Sequence, residues 1–182
     1  YVVSGGNEKA DLNSYQDRIY INDGKGKFVN DSKVLSPVNF SGSCVKSNDF
    51  DKDGDVDLFV GGRQNPGRYP LPGHSFLLLN DGKNGFEKAR LDSTTFASMG
   101  MVTDAVWSDY NNDGWDDLIV VGEWMPVSIF INNKGVLKST PIKIPISTGW
   151  WNCITSSDLN NDGKDDFILG NLGLNYKYKA SQ

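Results

Sequence analysis

The sequence predicts an all-β chain built as a partial β-propeller, an open arc of about three to four four-stranded antiparallel blades. Two repeats carry that expectation. A fourteen-residue pattern occurs three times, as DFDKDGDVDLFVGG from Asp49, DYNNDGWDDLIVVG from Asp109 and DLNNDGKDDFILGN from Asp158, with starts 60 and 49 residues apart. A second pattern follows in phase: RIYINDG from Arg18, FLLLNDG from Phe76 and SIFINN from Ser128. Each unit reads as strand, acidic loop, strand, longer connection, strand, Asn-Asp-Gly-type turn, strand. Four short antiparallel strands repeating every ~50 residues describe a propeller blade. No helical periodicity lasts a dozen residues. A parallel β-helix is the alternative, but its repeats are shorter and carry no hairpin turn.

The elements follow in order. Tyr1–Gly6 matches Leu58–Gly62, so the chain is expected to start at the second strand of a blade. Asn22-Asp23-Gly24 and Asn80-Asp81-Gly82 supply the positive φ that tight hairpin turns demand. In the best-defined unit the four strands fall at about Ser43–Asn48, Val56–Gly61, Ser75–Leu79 and Phe86–Ala89. Asp166–Gly170 gives a second strand with no clear third or fourth after it. The expected organisation is one domain over 1–182, with approximate blades 1–40 (partial), 41–95, 96–142 and 143–182 (partial). A closed ring needs more blades, so the chain reads as an arc cut from a longer protein. Its exposed blade edges are expected to permit association between copies.

Composition excludes several classes. The 182 residues are 38% hydrophobic and 23% charged, which is too apolar for a disordered tail. No run approaches the ~18 apolar residues of a membrane-spanning helix, so no membrane insertion is expected. The net charge of −5 argues against a nucleic-acid partner. That charge is unevenly spread: 13 of the 23 acidic residues lie in Asp49–Asp57, Asp109–Asp117 and Asp158–Asp166, with only Lys52 and Lys164 as cations among them. Carboxylates crowded in this way repel one another and call for a bound cation.

Oxygen donors stand at loop positions 1, 3, 5 and 9. They are Asp49, Asp51, Asp53 and Asp57; then Asp109, Asn111, Asp113 and Asp117; then Asp158, Asn160, Asp162 and Asp166. Gly54, Gly114 and Gly163 at position 6 allow the sharp turn. Asp55, Trp115 and Lys164 at position 7 offer a backbone carbonyl, a role that tolerates Trp and Lys. An all-oxygen donor set favours Ca²⁺ over zinc or copper, and Mg²⁺ suits it less because it keeps waters in a tighter octahedron. An EF-hand needs Glu at position 12, where this chain has Val60, Val120 and Leu169 at the equivalent places in its apolar strands. Up to three structural Ca²⁺ ions are expected.

These loops resemble the calcium-binding FG-GAP (VCBS) repeats of the integrin α-subunit propeller and of secreted bacterial proteins. Gly61-Gly62-Arg63, Pro66–Pro70, Gly122–Pro126 and Gly170–Asn175 are similar to the propeller of the ASPIC/UnbV group. The resemblance implies a seven-bladed propeller, a secreted, periplasmic or cell-surface location, and adhesion or matrix binding.

Outside the loops, the Gly62–His74 connection carries Arg63, Arg68, Tyr69 and the single histidine. An Arg–Tyr pair on a rigid scaffold suits an anionic or sugar ligand, or it bridges neighbouring blades. Trp150 and Trp151 adjoin a rim, where aromatic rings stack on ligands or pack blade on blade. Trp107 reads as core. Cys44 and Cys153 occupy equivalent places two blades apart, too far for a bridge, and are expected to be free and largely buried. No catalytic constellation appears. The expectation is a non-catalytic calcium-binding module for a protein or glycan ligand. The alternative is part of a carbohydrate-active enzyme, using Asp104 or Glu123 as acid and base.

Overall fold

The computed structural model describes residues 1–35, 39–83, 85–89, 96, 99–138 and 140–173. The fold is all-β, with antiparallel sheets that do not close into a barrel. β1 (Tyr20–Asn22) and β2 (Phe28–Asn30) form a hairpin, and Val2 bridges to Arg18 beside it. β3 (Gly42–Asn48), β4 (Asp57–Gly62), β5 (Phe76–Asn80) and β6 (Phe86–Lys88) make one sheet in sequence order. β7 (Met101–Ser108), β8 (Asp117–Met125), β9 (Ser128–Phe130) and β10 (Ile142–Lys143) repeat that order, and β11 (Gly149–Ser157) pairs with β12 (Asp166–Asn171). The end of β8 also pairs with the start of β11, at Met125 with Gly149 and Glu123 with Trp150, which joins the last two units into one sheet.

The second strands are apolar at successive positions because each is buried on both faces. Side chains alternate across a strand. On β4, Leu58 and Val60 face the core shared with Ile19 and Leu35, whereas Phe59 faces the next unit beside Val102 and Phe130. On β8, Leu118 and Val120 join Phe59, while Ile119 and Val121 pack on the other side with Ile154. Each core therefore lies between two blades. Burying one such side chain stabilises by about 1.5–3 kcal/mol, so each blade depends on its neighbours.

The inner strands are linked by a repeated device. Each carries a register shift near its start, between Gly42 and Cys44, Val102 and Asp104, and Trp151 and Cys153. The shift frees the hydroxyls to reach the neighbouring inner strand. Ser43 Oγ donates to the Val102 carbonyl at 2.7 Å, and Thr103 Oγ1 donates to the Trp151 carbonyl at 2.8 Å.

The thiols differ from expectation. Both are free, but Cys44 is only partly buried and Cys153 is exposed. Cys44 pairs with Gly61 and packs against the core that includes Val102. Cys153 pairs with Gly170 in the equivalent place, and among the described residues no further blade covers that side. Trp107 stacks on Phe50 at 5.9 Å, against the core between the second and third units.

Candidate metal centre

The three acidic loops share one backbone path. Position 4 is left-handed in each, with φ of 60° at Lys52, 57° at Asn112 and 61° at Asn161. Position 6 is a positive-φ glycine in each, which explains why Gly recurs there. The path curls the loop so that backbone N–H groups point inward to the position-1 carboxylate. Gly54, Gly114 and Gly163 donate to Asp49, Asp109 and Asp158 at 3.2, 2.7 and 2.9 Å.

Position 9 is the junction between loop and blade. Asp57 Oδ1 accepts from the Asn80 N–H at 2.8 Å, and Asp117 Oδ1 accepts from the Asn132 N–H at 2.7 Å. The hairpin turn after the third strand is thereby tied to the loop before the second.

Only the first loop gathers its carboxylates, among the described residues. Oxygens of Asp49, Asp51 and Asp57 lie within 4.8 Å of one another. Asp57 is 1% exposed, and its Oδ2 has no hydrogen-bond partner; Asp49 Oδ1 is likewise buried and unpartnered. Two orphaned anionic oxygens in one cluster fit a hard cation, because native structures rarely leave such atoms unsatisfied. Burial pushes the Asp57 carboxyl up to about 6, reinforced by the like charges of Asp51, Asp53 and Asp49. Burial, and then Asp53 and Asp49, raises Asp51 as well. Asp53 stays exposed and accepts from the Asp55 N–H at 2.9 Å, and the Asp55 carboxylate lies against the Gly82 turn.

The second and third loops are differently arranged. Asn111 and Asn160 replace Asp51, and their side-chain amides donate to Asp113 and Asp162 at 2.9 and 3.1 Å. Asp113 and Asp162 in turn accept from the N–H groups of Trp115 and Lys164, both at 2.9 Å. Asp117 is fully buried and its pKa is raised, first by burial. Asp166 is only partly buried, accepting from the Leu159 N–H at 3.1 Å.

Three residues that the spacing did not single out hold the first two loops together. Lys52 donates to the Gly114 carbonyl and lies 4.6 Å over the Trp115 ring. Asn132 is fully buried, and its Nδ2 donates to the Phe50 and Asp116 carbonyls at 2.8 and 3.0 Å. Asn48 donates to Asp116 at 2.7 Å. The signal for Asn132 was present, since Asn22, Asn80 and Asn132 recur in phase, but it read only as a turn residue.

At the other end of the second strands lies the rim that carries Arg63, Arg68 and Tyr69. Glu123, whose side chain is fully buried, receives both Nε and Nη2 of Arg63, the Nε bond at 2.7 Å. Tyr69 Oη donates to the other Glu123 oxygen at 3.2 Å and accepts from Trp124 Nε1 at 3.1 Å. Trp124 is 44% exposed, sits at φ 58° and meets the Trp150 ring at 4.9 Å. A cleft of about 310 Å³ opens there beside Pro70, Pro72 and Met125. Arg68 is exposed within the turn closed by its own N–H on the Asn65 carbonyl. Trp151 donates from Nε1 to the Ser147 carbonyl at 2.9 Å and packs on the core between the last two units. His74 stands edge-on to Phe40, at 5.0 Å.

Among the described residues, no helix is long and apolar enough to cross a membrane. A comparison with curated proteins finds no match. The profile of the FG-GAP-like repeat matches over residues 2–60, 49–120 and 109–169, and does not extend to the narrower ASPIC/UnbV grouping. Each match ends in a strand that leaves an acidic loop, so successive matches overlap at the loops and each runs from one second strand into the next. With matches running from residue 2 to residue 169, the chain belongs to the FG-GAP-like repeat family.

Proposed function

We propose that the chain is a calcium-stabilised, non-catalytic propeller module of an exported protein, presenting a rim to a protein or glycan ligand. The observation that carries the calcium reading is the first loop, where Asp57 Oδ2 and Asp49 Oδ1 are buried, unpartnered and grouped with Asp51. Asp49, Asp51 and Asp57 would hold the ion, with Asp53 and the Asp55 carbonyl completing an oxygen shell. Asp109, Asn111, Asp113, the Trp115 carbonyl and Asp117 would form the second site. Asp158, Asn160, Asp162, the Lys164 carbonyl and Asp166 would form the third. The ion would neutralise a loop that otherwise raises its own carboxyl pKa values, and would fix the link between first and second strands.

The binding role rests on the family, whose repeat domains are generally non-catalytic and typically belong to extracellular or cell-surface proteins. Two ion pairs support it. Asp104 is held by Lys46 at 2.8 Å and accepts from the Ile154 N–H at 3.0 Å, and Glu123 is held by Arg63. The two acids available for glycan chemistry are thus both engaged between blades. The ligand surface on this reading is the Tyr69–Trp124–Trp150 rim.

Thermal unfolding in EDTA and across a calcium titration tests the reading, with Mg²⁺ as control. A site at 100 times its Kd adds about 2.7 kcal/mol, and each kcal/mol moves the midpoint by about 2–4 °C at this size. A rise of about 5–10 °C with Ca²⁺ alone is expected. An unchanged midpoint would count against structural calcium.

A further inference from the structure

The first two acidic loops are not independent. Lys52, at position 4 of the first loop, donates to the Gly114 carbonyl and covers the Trp115 ring in the second. Asn132 donates from its backbone to Asp117, the position-9 carboxylate of the second loop. Its side chain donates to the carbonyl of Phe50, which lies between Asp49 and Asp51 of the first loop. The turn that follows Asn132 also rests on the first loop, where a Cβ on Gly135 would stand 2.9 Å from Asp51 Cβ. Asn48 bonds Asp116, one residue before Asp117. Four contacts thus connect the first loop and the residue before it to the second loop and the turn that holds it. Between the second and third loops the described residues supply the bond of Ser108 Oγ to Asp165, at 2.7 Å.

We infer that the first and second loops bind calcium cooperatively, with Lys52 and Asn132 as the residues that position one loop for the other. The inference rests on the calcium reading above and adds its regulation. An ion in the first loop draws in Asp49 and Asp57 and so fixes the Phe50 carbonyl and the Lys52 stem. Both hold the second loop, Phe50 through Asn132 at Asp117 and Lys52 directly at Gly114 and Trp115. The second ion then meets donors already ordered and loses less conformational freedom on binding. Repulsion between two divalent ions has the opposite sign, so positive coupling distinguishes this linkage from electrostatics alone.

Calorimetric calcium titration of the chain tests this in an Asp162→Ala background, which leaves the first two loops. A Hill coefficient above 1 is expected. Adding Asp51→Ala should leave a second-loop site at least about fivefold weaker than the second binding step of the background. Adding Asp113→Ala should weaken the first loop by the same factor, because coupling between equilibrium binding sites is reciprocal. Lys52→Met keeps the alkyl stem, removes no proposed ligand oxygen and sits at an exposed position, so it tests the link even if Asp51→Ala fails to fold. It should reduce the coupling factor roughly threefold. Two independent sites, with Asp51→Ala leaving the second loop unchanged and Lys52→Met without effect, would overturn the coupling while calcium binding stood. Absence of any calcium binding would overturn both readings.

Discussion

The first and third acidic loops follow the same nine-position template and the same backbone path, yet their surroundings differ. In the first, Asp57 is 1% exposed, two carboxylate oxygens are unpartnered and burial lifts the Asp57 carboxyl to about 6. In the third, the Asp158 carboxyl is held below the usual range, chiefly by the Gly163 N–H. The template sets the spacing of donors and the sharp turn. The first loop is also covered from elsewhere, by the Asn132–Gly135 turn of the next blade resting on Phe50 and Asp51. The surroundings of an acidic loop in this architecture therefore depend on two blades, not on one loop.

The largest effect should come from removing the residue that makes the first loop a two-blade structure. Asn132→Ala leaves the buried Phe50 carbonyl without its partner and also frees the Asp116 carbonyl and Gly135 N–H. A loss of about 3 kcal/mol in urea unfolding is expected. Asn80→Ala is the control. Its side chain serves the Val56 carbonyl and Gly82 N–H in exposed surroundings, so about 1 kcal/mol or less should be lost. Equal losses would mean that the covering turn contributes nothing special to the first loop.

The same contrast separates what was legible in the sequence from what was not. Loop positions, hairpin turns and strand centres are local, and the observed β3–β6 begin and end within a residue or two of their predicted ranges. The continuous apolar runs after the loops are explained by burial of those strands on both faces. That an arginine of the Gly62–His74 connection bridges blades was legible, but the partners of contacts between blades were not. Asn132 and Phe50 are 82 residues apart, Arg63 and Glu123 are 60 apart, and nothing in their own segments names the partner. The exposure of Cys153 was missed for the same reason: its repeat position is equivalent to that of Cys44, but its cover is not.

A pH series in EDTA sharpens the comparison at intermediate size. Asp57 has a folded pKa raised above the ordinary carboxylate value, so the folded cation-free protein binds that proton more tightly than the unfolded chain does. Its contribution to stability is present below about pH 4 and is lost as pH rises through about 6. Asp158 is lowered, so its contribution is present above the unfolded value and is lost as pH falls. Chemical unfolding between pH 4.5 and 7 should show the cation-free protein gaining stability on acidification. Asp57→Asn should flatten that trend, and Asp158→Asn should leave it in place. If the two variants behave alike, burial does not distinguish the loops.

The smallest expected effect concerns how the third loop is held. Ser108 is buried and donates to Asp165, a carboxylate on the exposed side of that loop. Asn48 makes the corresponding bond to Asp116 one blade earlier. The geometry of the two bonds is alike, but water can replace Ser108 at the exposed Asp165. Ser108→Ala should therefore cost about 0.5–1 kcal/mol in urea unfolding. It should also leave calcium affinity at the first two loops within about twofold, since coupling falls off where shared partners are absent. A cost near that of Asn132→Ala would place the third loop under the same inter-blade control as the first. The difference between them would then reduce to Asn160 standing where the first loop has Asp51.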